Sequence, residues 1–249
     1  MKEKIIQVEN LTGGYDGKVI LDNVNMNIYK GEVLVIVGRS GSGKSTTMNH
    51  MLGLQKPYSG RILFDNIDIW SSPEALNSAR KRWGVLFQSG ALLGNYTVLE
   101  NVMLPLTEFT ALTKCEMIDV ALSKLELVGM EDAAFENPLE ISGGMQKRAG
   151  LARAMVLDPE VLFFDEPSAG LDPVTSAELD KTILSVNRTL GTTLIIVTHE
   201  LASIFAISDR VIMLDPVEHG IIATGSAQEL AKNSSDDRVK DFFGRKLYI

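Results

Sequence analysis

The chain has 249 residues, 45 % hydrophobic and 22 % charged, a composition typical of a globular protein with a sizeable core. With 24 Lys and Arg against 32 Asp and Glu, its net charge of −8 argues against a general nucleic-acid binder, which needs cations to pair with phosphates. The single cysteine, Cys115, excludes an intramolecular disulfide framework and a cysteine-rich zinc site, and it fits a reducing, cytoplasmic compartment.

The N-terminal part of the chain predicts a small antiparallel sheet. Residues 24–28 alternate strictly between apolar and polar, as a half-exposed antiparallel strand does. Residues 61–70 carry two short apolar stretches around Asp65-Asn66, which predicts a hairpin. We therefore expect an antiparallel layer over roughly residues 4–32 and 60–70.

Three short apolar runs predict strands that are buried on both faces. They are rich in β-branched and aromatic residues and lie at 33–37, 161–164 and 194–197. Such runs are typical of a parallel sheet covered by helices. They are far shorter than the about 20 apolar residues of a membrane-spanning helix, and the first six residues lack the apolar segment of a secretory signal. Neither a membrane span nor a signal is expected.

Helix start and stop signals recur further along the chain. Two capping boxes and an Asp-Pro pair followed by a distant Gly predict helix ends. These signals are Thr113 with Glu116, Ser226 with Glu229, and Asp172-Pro173 with Gly191. Residues 91–158 carry helical patterns without a good strand, which indicates a helical insertion into the α/β core. Residues 233–237 form a polar linker before an aromatic tail.

A phosphate-binding loop follows the first buried run. Residues 38–45 match the pattern G-x-x-x-x-G-K-[ST], in which glycines let backbone N–H groups face an anion. The helix expected to start at Lys44 adds its positive dipole end, and Lys44 should reach the β- and γ-phosphates. The alternative is a chance Gly/Ser-rich turn. The predicted nucleotide ligands here are Gly38, Arg39, Ser40, Gly41, Ser42, Gly43, Lys44, Ser45 and Thr46, with the Ser45 hydroxyl also on Mg²⁺.

The second buried run ends in two carboxylates, Asp165 and Glu166. Asp165 suits the Mg²⁺ shell, and Glu166 is suited to orient and deprotonate the attacking water as a general base. The alternative is a solvated strand terminus. A metal-binding Asp beside a Glu favours hydrolysis over nucleotide sensing.

The third buried run ends at Thr198-His199, and histidine occurs only three times in the chain. Parallel sheets bind ligands at the carboxyl ends of their strands, so we expect His199 to contact the γ-phosphate. A histidine satisfied by local backbone is the alternative.

The order of these motifs, with Ile141-Ser142-Gly143-Gly144 upstream of the acidic strand, resembles the nucleotide-binding subunit of ATP-binding cassette (ABC) transporters over nearly the whole chain. The resemblance implies a P-loop NTPase, an α/β fold with a RecA-like parallel sheet core, an antiparallel β subdomain and an inserted helical subdomain. It implies one ABC ATPase domain over 1–249, with the core at 1–88 and 159–225, the helical subdomain at 89–158 and a C-terminal tail at 226–249.

The resemblance also implies residue roles, with ATP and Mg²⁺ as cofactors. Tyr15 would stack on adenine, Gln88 would touch Mg²⁺, Ser142, Gly143 and Gly144 would be the family signature, Asp172 would belong to the D-loop, and His199 would be the switch histidine. The implied catalytic set is Lys44, Gln88, Glu166 and His199, and the implied metal ligands are Ser45, Gln88 and Asp165. Taken singly, Tyr15 also fits a turn aromatic, Gln88 a strand-end amide and Ser142 a helix cap. Lys147, Arg148 and Arg153 are expected to form a solvated helix face.

One departure from the family pattern is informative. Met145 stands where Gln is usual, and with residues 87–92 it looks like the branch that powers lipid trafficking with MCE-domain proteins, the bacterial maintenance-of-lipid-asymmetry type. The family resemblance implies a head-to-tail homodimer and a membrane permease, and the lipid branch adds an MCE-domain lipid-binding protein and a small regulatory subunit. Residues 89–106, rich in small and apolar residues, are the candidate groove for the permease, and ordinary core packing within the insertion is the alternative. The family resemblance also implies a place on the cytoplasmic face of the inner membrane, and the −8 charge argues against a nucleic-acid partner. In that branch a C-terminal extension can hold the opposite ATPase copy. The tail at 226–249 is short for such a contact, so the resemblance leaves this contact open.

Three other functions remain open from the sequence. The first is an ATPase for another solute, such as an amino acid. The second is a soluble ABC protein that acts on DNA or ribosomes, although the chain has one cassette and no long heptad array. The third is a non-hydrolysing nucleotide-dependent scaffold, which the presence of Glu166 and His199 disfavours.

Overall fold

A computed structural model describes residues 2–244. Two compact units are present, one made of residues up to 80 and from 193 onward, the other of residues 81–192. In the first unit the strands are Lys4–Tyr15 (β1), Lys18–Tyr29 (β2), Val33–Gly38 (β3), Ser59–Phe64 (β4), Ile67–Asp68 (β5), Thr193–Val197 (β8), Arg210–Asp215 (β9) and Gly220–Gly225 (β10). Its helices are Lys44–Met51 (α1), Pro73–Arg80 (α2), Leu201–Ile207 (α7), Ala227–Asn233 (α8) and Asp237–Gly244 (α9).

The second unit contains two strands, Trp83–Leu86 (β6) and Val161–Asp165 (β7), within the described residues. Its helices are Val98–Phe109 (α3), Lys114–Leu127 (α4), Gly143–Ala154 (α5) and Pro173–Leu190 (α6), with a 3₁₀ turn at Glu131–Ala133. The unit boundaries differ from the expected division at residues 89, 159 and 226. That division stays a prediction.

The predicted antiparallel layer is confirmed. Its strand order is β2-β1-β4-β5, and every neighbouring pair is antiparallel. Val24, Met26 and Ile28 are buried while Asn25 is exposed, as the alternation indicates. Asp65-Asn66 turns the hairpin with both residues at positive φ, 52° and 65°, a geometry that Asx residues tolerate.

The three apolar runs are confirmed as buried strands. In the first unit, β3 pairs in parallel with β8 on one side and β9 on the other, and β10 closes that edge antiparallel to β9. All residues of β3 and β8 are buried, which explains why both lack alternation. In the second unit, β7 pairs in parallel with β6, with Leu86 opposite Phe164. The chain is therefore α/β.

The capping signals are confirmed as helix ends. The Thr113–Glu116 and Ser226–Glu229 boxes are both formed in full. Asp172 caps α6 with Pro173 in the first turn, and Gly191 ends that helix at φ 67°. Helices and a 3₁₀ turn, without a strand, occupy the structure between 91 and 158, as expected. After the predicted linker, α9 packs on its own unit, where Phe243 meets Phe205 edge to face at 5.9 Å. Residues 245–249 of the predicted tail lie outside the described residues.

Candidate functional site

Glycines shape the loop between β3 and α1. Gly38, Gly41 and Gly43 all have positive φ, at 152°, 79° and 94°. A Cβ on Gly38 would lie 2.4 Å from the Leu214 carbonyl oxygen, so the start of the loop has no room for a side chain. This backbone conformation is the one that turns successive N–H groups toward an anion. The predicted phosphate loop therefore has the conformation its sequence requires.

The Lys44 ammonium lies over this loop. It donates to the carbonyl oxygens of Gly38 at 2.9 Å and Arg39 at 3.2 Å, and α1 begins at Lys44 itself. The Ser42 hydroxyl oxygen is buried, and no hydrogen-bond partner for it exists within the described residues. Ser45 is exposed at the helix start. A cation, a helix N-terminus and an orphaned hydroxyl around one glycine loop fit a triphosphate.

His199 lies at the same edge of the first unit's sheet as this loop. β8, which precedes it, is the parallel neighbour of β3, with Val197 opposite Ile36. The imidazole is 60 % exposed, and its Nε2 is 3.9 Å from Glu200 Oε1. The structure therefore brings the phosphate loop and His199 to one carboxyl edge.

Tyr15, the predicted adenine-stacking residue, ends β1 in the first unit. Its side chain is 45 % exposed. A two-residue turn, Asp16-Gly17, follows it at positive φ of 51° and 78°. The Tyr15 hydroxyl accepts a hydrogen bond from Asn49 Nδ2 at 3.2 Å, so the ring is tied to the helix that begins in the phosphate loop.

In the second unit, Gln88, Asp165 and Glu166 lie at the carboxyl edge of the β6–β7 pair. Gln88 follows β6, and Asp165 ends β7. Glu166 is half-buried and has φ 47°, a left-handed backbone that costs a non-glycine residue about 1–2 kcal/mol. Strain of this kind concentrates at functional sites, and here it is stored in the residue predicted to be the general base.

Lys147 on α5 lies beside this acidic edge, and the expectation that it belongs to a solvated face is wrong. Its side chain is buried at 5 % exposure, and its ammonium donates to the Gln88 carbonyl oxygen. Burial lowers the pKa of Lys147, an effect that the negative charges of Asp165 and Glu166 oppose. A buried cation thus holds the Gln88 backbone by a hydrogen bond and lies within electrostatic reach of both predicted acidic residues.

Two further side chains hold the segment after Gln88. Arg153 is half-buried rather than solvated, and it donates to the carbonyl oxygens of Gly90 at 2.8 Å and Ala91 at 2.7 Å. Asn101, fully buried on α3, accepts from Leu93 N at 2.7 Å and donates to Leu93 O at 3.0 Å. The sequence reasoning missed Lys147, Arg153 and Asn101.

The signature residues lie at the exposed start of α5. The Ser142 hydroxyl caps the helix by accepting from Met145 N at 3.3 Å, and Ser142 and Gly143 are exposed. A Cβ on Gly144 would lie 2.4 Å from Thr175 Cγ2, so this glycine permits close contact with α6. Asp172 caps α6, and hydrogen bonds from Thr175 lower its pKa. The helix-cap interpretation of Ser142 is confirmed, and such a cap is compatible with the predicted role toward an anion, which stays a prediction.

We expect Lys147→Met to destabilise the protein. Methionine keeps the apolar stem but leaves the Gln88 carbonyl and two carboxylates without the buried charge, a loss of about 1–3 kcal/mol. Urea denaturation measures it. Arg148→Met is the matched control, because Arg148 is the neighbouring, less buried cation with one long hydrogen bond of 3.4 Å to Gly129 O. Equal losses in both variants would contradict the assignment.

The sequence profile of the family described as "ABC transporter" matches residues 21–169. This match covers more than half of the chain. The chain belongs to the ABC transporter family. It is an ATP-hydrolysing cassette that binds ATP, and its fold is that of a P-loop NTPase. Within the described residues, none of the cassette's helices is long and apolar enough to cross a bilayer.

Curated relatives match the cassette almost from end to end. It is 40 % identical over 97 % of its length to the intermembrane phospholipid transport system ATP-binding protein MlaF of Haemophilus influenzae, covering 91 % of that protein. It is also 42 % identical over 97 % of its length to "Probable ribonucleotide transport ATP-binding protein mkl" of Mycobacterium tuberculosis, covering 67 % of that protein. Two relatives with nearly the same sequence identity to this chain are thus named for the transport of different substrates.

Solved structures agree with the family. Clostridium perfringens cbiO1, described as part of the ABC transporter complex cbiONQ, has a TM-score of 0.84 at 33 % identity and covers 98 % of the cassette and 92 % of its own chain. The ATP-binding cassette MJ0796 was solved as a dimer in a post-hydrolysis state with ADP and Pi. It has a TM-score of 0.80 at 32 % identity, and the match covers 89 % of this chain and 98 % of the MJ0796 chain.

Proposed function

We propose that this cassette hydrolyses ATP to power phospholipid transport through a separate membrane permease. The observation that carries the proposal is the 40 % identity over 97 % of the chain to MlaF, a protein named for intermembrane phospholipid transport. The Ser-Gly-Gly-Met signature and the segment after Gln88 support the same branch. On this proposal the cassette sits on the cytoplasmic face of the inner membrane, bound to the permease.

The site residues have the following proposed roles. The loop from Gly38 to Thr46 and the Tyr15 ring bind ATP, with the Lys44 ammonium on its β- and γ-phosphates. Ser45, Gln88 and Asp165 would hold Mg²⁺, which when bound neutralises charge that develops on the phosphate oxygens. Glu166 takes a proton from the attacking water, and His199 contacts the γ-phosphate.

A second copy of the cassette completes each site in this proposal. One chain carries one phosphate loop and one signature, so a two-fold dimer makes two identical composite sites. Asp172 contributes to the nucleotide site from the D-loop. Ser142 and Gly143 are exposed and therefore available to a partner's nucleotide, with the start of α5 adding hydrogen-bond donors and a positive dipole end. Hydrolysis removes the shared ligand and loosens the dimer, a ligand-driven population shift.

The segment over 89–106 is the proposed contact for the permease. Arg153 and Asn101 hold the backbone at its start, and Lys147 holds the Gln88 carbonyl just before it, so a displacement there is passed to α5 and to the Gln88 backbone. Leu93 is 45 % exposed on this segment. An MCE-domain lipid-binding protein and a small regulatory subunit complete the proposed assembly.

Purification of the cassette with its membrane subunits, followed by mass spectrometry of the bound small molecules, tests this function. We expect a permease with co-purified phospholipid, and we expect Leu93→Glu to lose the permease by placing a charge in the contact. Val217→Glu is the control, because Val217 is 76 % exposed and lies outside the segment. A complex that carries ribonucleotide or amino acid, or DNA- or ribosome-stimulated hydrolysis without a permease, would overturn the lipid proposal.

A further inference from the structure

We infer that His50 is a positioning residue that couples the phosphate-loop helix to the aromatic residue that binds the base. The inference rests on the proposed function, in which Tyr15 stacks on adenine. His50 lies in the last turn of α1, and Tyr15 lies at the end of β1, so both belong to the first unit. Through this coupling, the residues that bind the triphosphate and the residue that binds the base are held in a fixed arrangement.

The His50 ring is held by backbone on both sides. It is fully buried, and its Nδ1 is 2.8 Å from the Gln55 carbonyl oxygen. Because a carbonyl accepts only, Nδ1 carries the proton and Nε2 presents a lone pair. Within the described residues Nε2 has no hydrogen-bond partner, and burial lowers the pKa of the imidazole.

Gly13 on β1 is shaped around this ring. A Cβ on Gly13 would lie 2.1 Å from His50 Nε2, so the imidazole fills the space that any other residue would need. This contact lies two residues before Tyr15 along the strand. Gly13 and His50 therefore fit as a pair, and the strand approaches α1 more closely there than a side chain would allow.

Three hydrogen bonds extend the brace from His50 to the turn around Tyr15. The Asn49 side chain donates to the Tyr15 hydroxyl at 3.2 Å, and the Gln55 side chain donates to the Gly14 carbonyl oxygen. The Gly17 amide donates to the Tyr58 hydroxyl at 3.1 Å. The segment that follows the phosphate loop thus contacts the aromatic turn on both sides of Tyr15.

Exposure explains why such a brace matters. Tyr15 is 45 % exposed, so core packing does not fix its ring, and a ring free to reorient loses part of its contribution to base binding. His50 holds the Gln55 carbonyl and thereby the loop whose Gln55 side chain reaches Gly14. The brace acts on the base side of the nucleotide, whereas Lys44 and the glycine loop act on the phosphates.

Calorimetry on the full chain tests the inference by comparing the affinity for ATP with the affinity for inorganic tripolyphosphate, which has no base. We expect His50→Leu to weaken ATP binding by about tenfold, within the range that an aromatic–base stack contributes, and to leave tripolyphosphate binding unchanged. His50→Asn keeps a donor near the Nδ1 position and is expected to recover much of the loss. Tyr15→Ala sets the full effect of losing the stack.

The outcomes separate this inference from the proposed function. If Tyr15→Ala leaves ATP affinity unchanged, the stacking role in the proposed function fails. If Tyr15→Ala weakens ATP binding selectively but His50→Leu does not, the positioning role of His50 is overturned. A loss of both ligands in His50→Leu and His50→Asn also overturns it, because His50 would then act only on the stability of the unit.

Discussion

Glu166→Gln is expected to remove steady-state ATP hydrolysis while leaving ATP binding and ATP-dependent dimers intact. Glutamine matches glutamate in shape, so the strained turn at φ 47° and the neighbouring strand end are preserved. An amide does not accept a proton from water, and loss of a general base costs about 10²–10⁴-fold in rate. Phosphate release measures turnover, and light scattering with ATP measures dimer formation.

Glu126→Gln is the matched control for this variant. Glu126 is exposed on α4 and outside the proposed site, so the same charge change there is expected to leave turnover unchanged. Near-normal hydrolysis in Glu166→Gln would contradict the general-base role. Turnover by the native chain in the same assay, lost in Glu166→Gln and kept in Glu126→Gln, would exclude the interpretation of the chain as a non-hydrolysing scaffold.

Local chemistry made much of the fold predictable from sequence. The buried runs at 33–37 and 194–197 have no polar face, and their β-branched residues make them typical of strands covered on both faces, as in a parallel sheet. The Asp65-Asn66 hairpin follows from backbone preference alone, because Asx residues tolerate the left-handed geometry of a tight turn. The phosphate loop is equally local, since its glycines, its lysine and its helix start are adjacent in the chain.

Tertiary burial made the rest unpredictable. Lys147 and Arg153 carry charges that normally face solvent, and only the surrounding structure shows that they hold carbonyl oxygens near Gln88. A weak signal existed, because Gly144, Lys147 and Leu151 share one helical face that is buried. The left-handed backbone at Glu166 belongs to a strained turn. The fit of His50 against Gly13 depends on a contact between segments far apart in sequence. Neither has a sequence pattern.

Lys44→Ala is expected to weaken ATP binding by about 10–100-fold, the value of a charge-assisted contact to phosphate. The Lys44 ammonium donates to two carbonyls of its own loop, so the loop also loses an internal tie. Ser142→Ala should instead leave each chain's own nucleotide binding near normal and reduce hydrolysis, because its hydroxyl acts on the partner's nucleotide in the proposed dimer. Calorimetry and phosphate release separate the two defects.

Mixing the two variants tests whether two chains share each site. In a mixed dimer, the intact phosphate loop of the Ser142→Ala chain meets the intact signature of the Lys44→Ala chain, which leaves one complete site and one doubly defective site. Random association of equal amounts makes half of the dimers mixed, so about a quarter of native activity should return if the two sites act independently. The inactive reference is a double variant that carries both Lys44→Ala and Ser142→Ala in one chain. Its dimers contain no complete site. If the mixture of single variants stays as inactive as that double variant, either hydrolysis needs two complete sites or the two chains do not share a site.

A covalently linked pair of one native chain and one double-variant chain decides between these two cases. Such a pair retains no complete site under sharing, because the native phosphate loop faces a defective signature and the native signature faces a defective phosphate loop, so activity from it would show that each chain works alone.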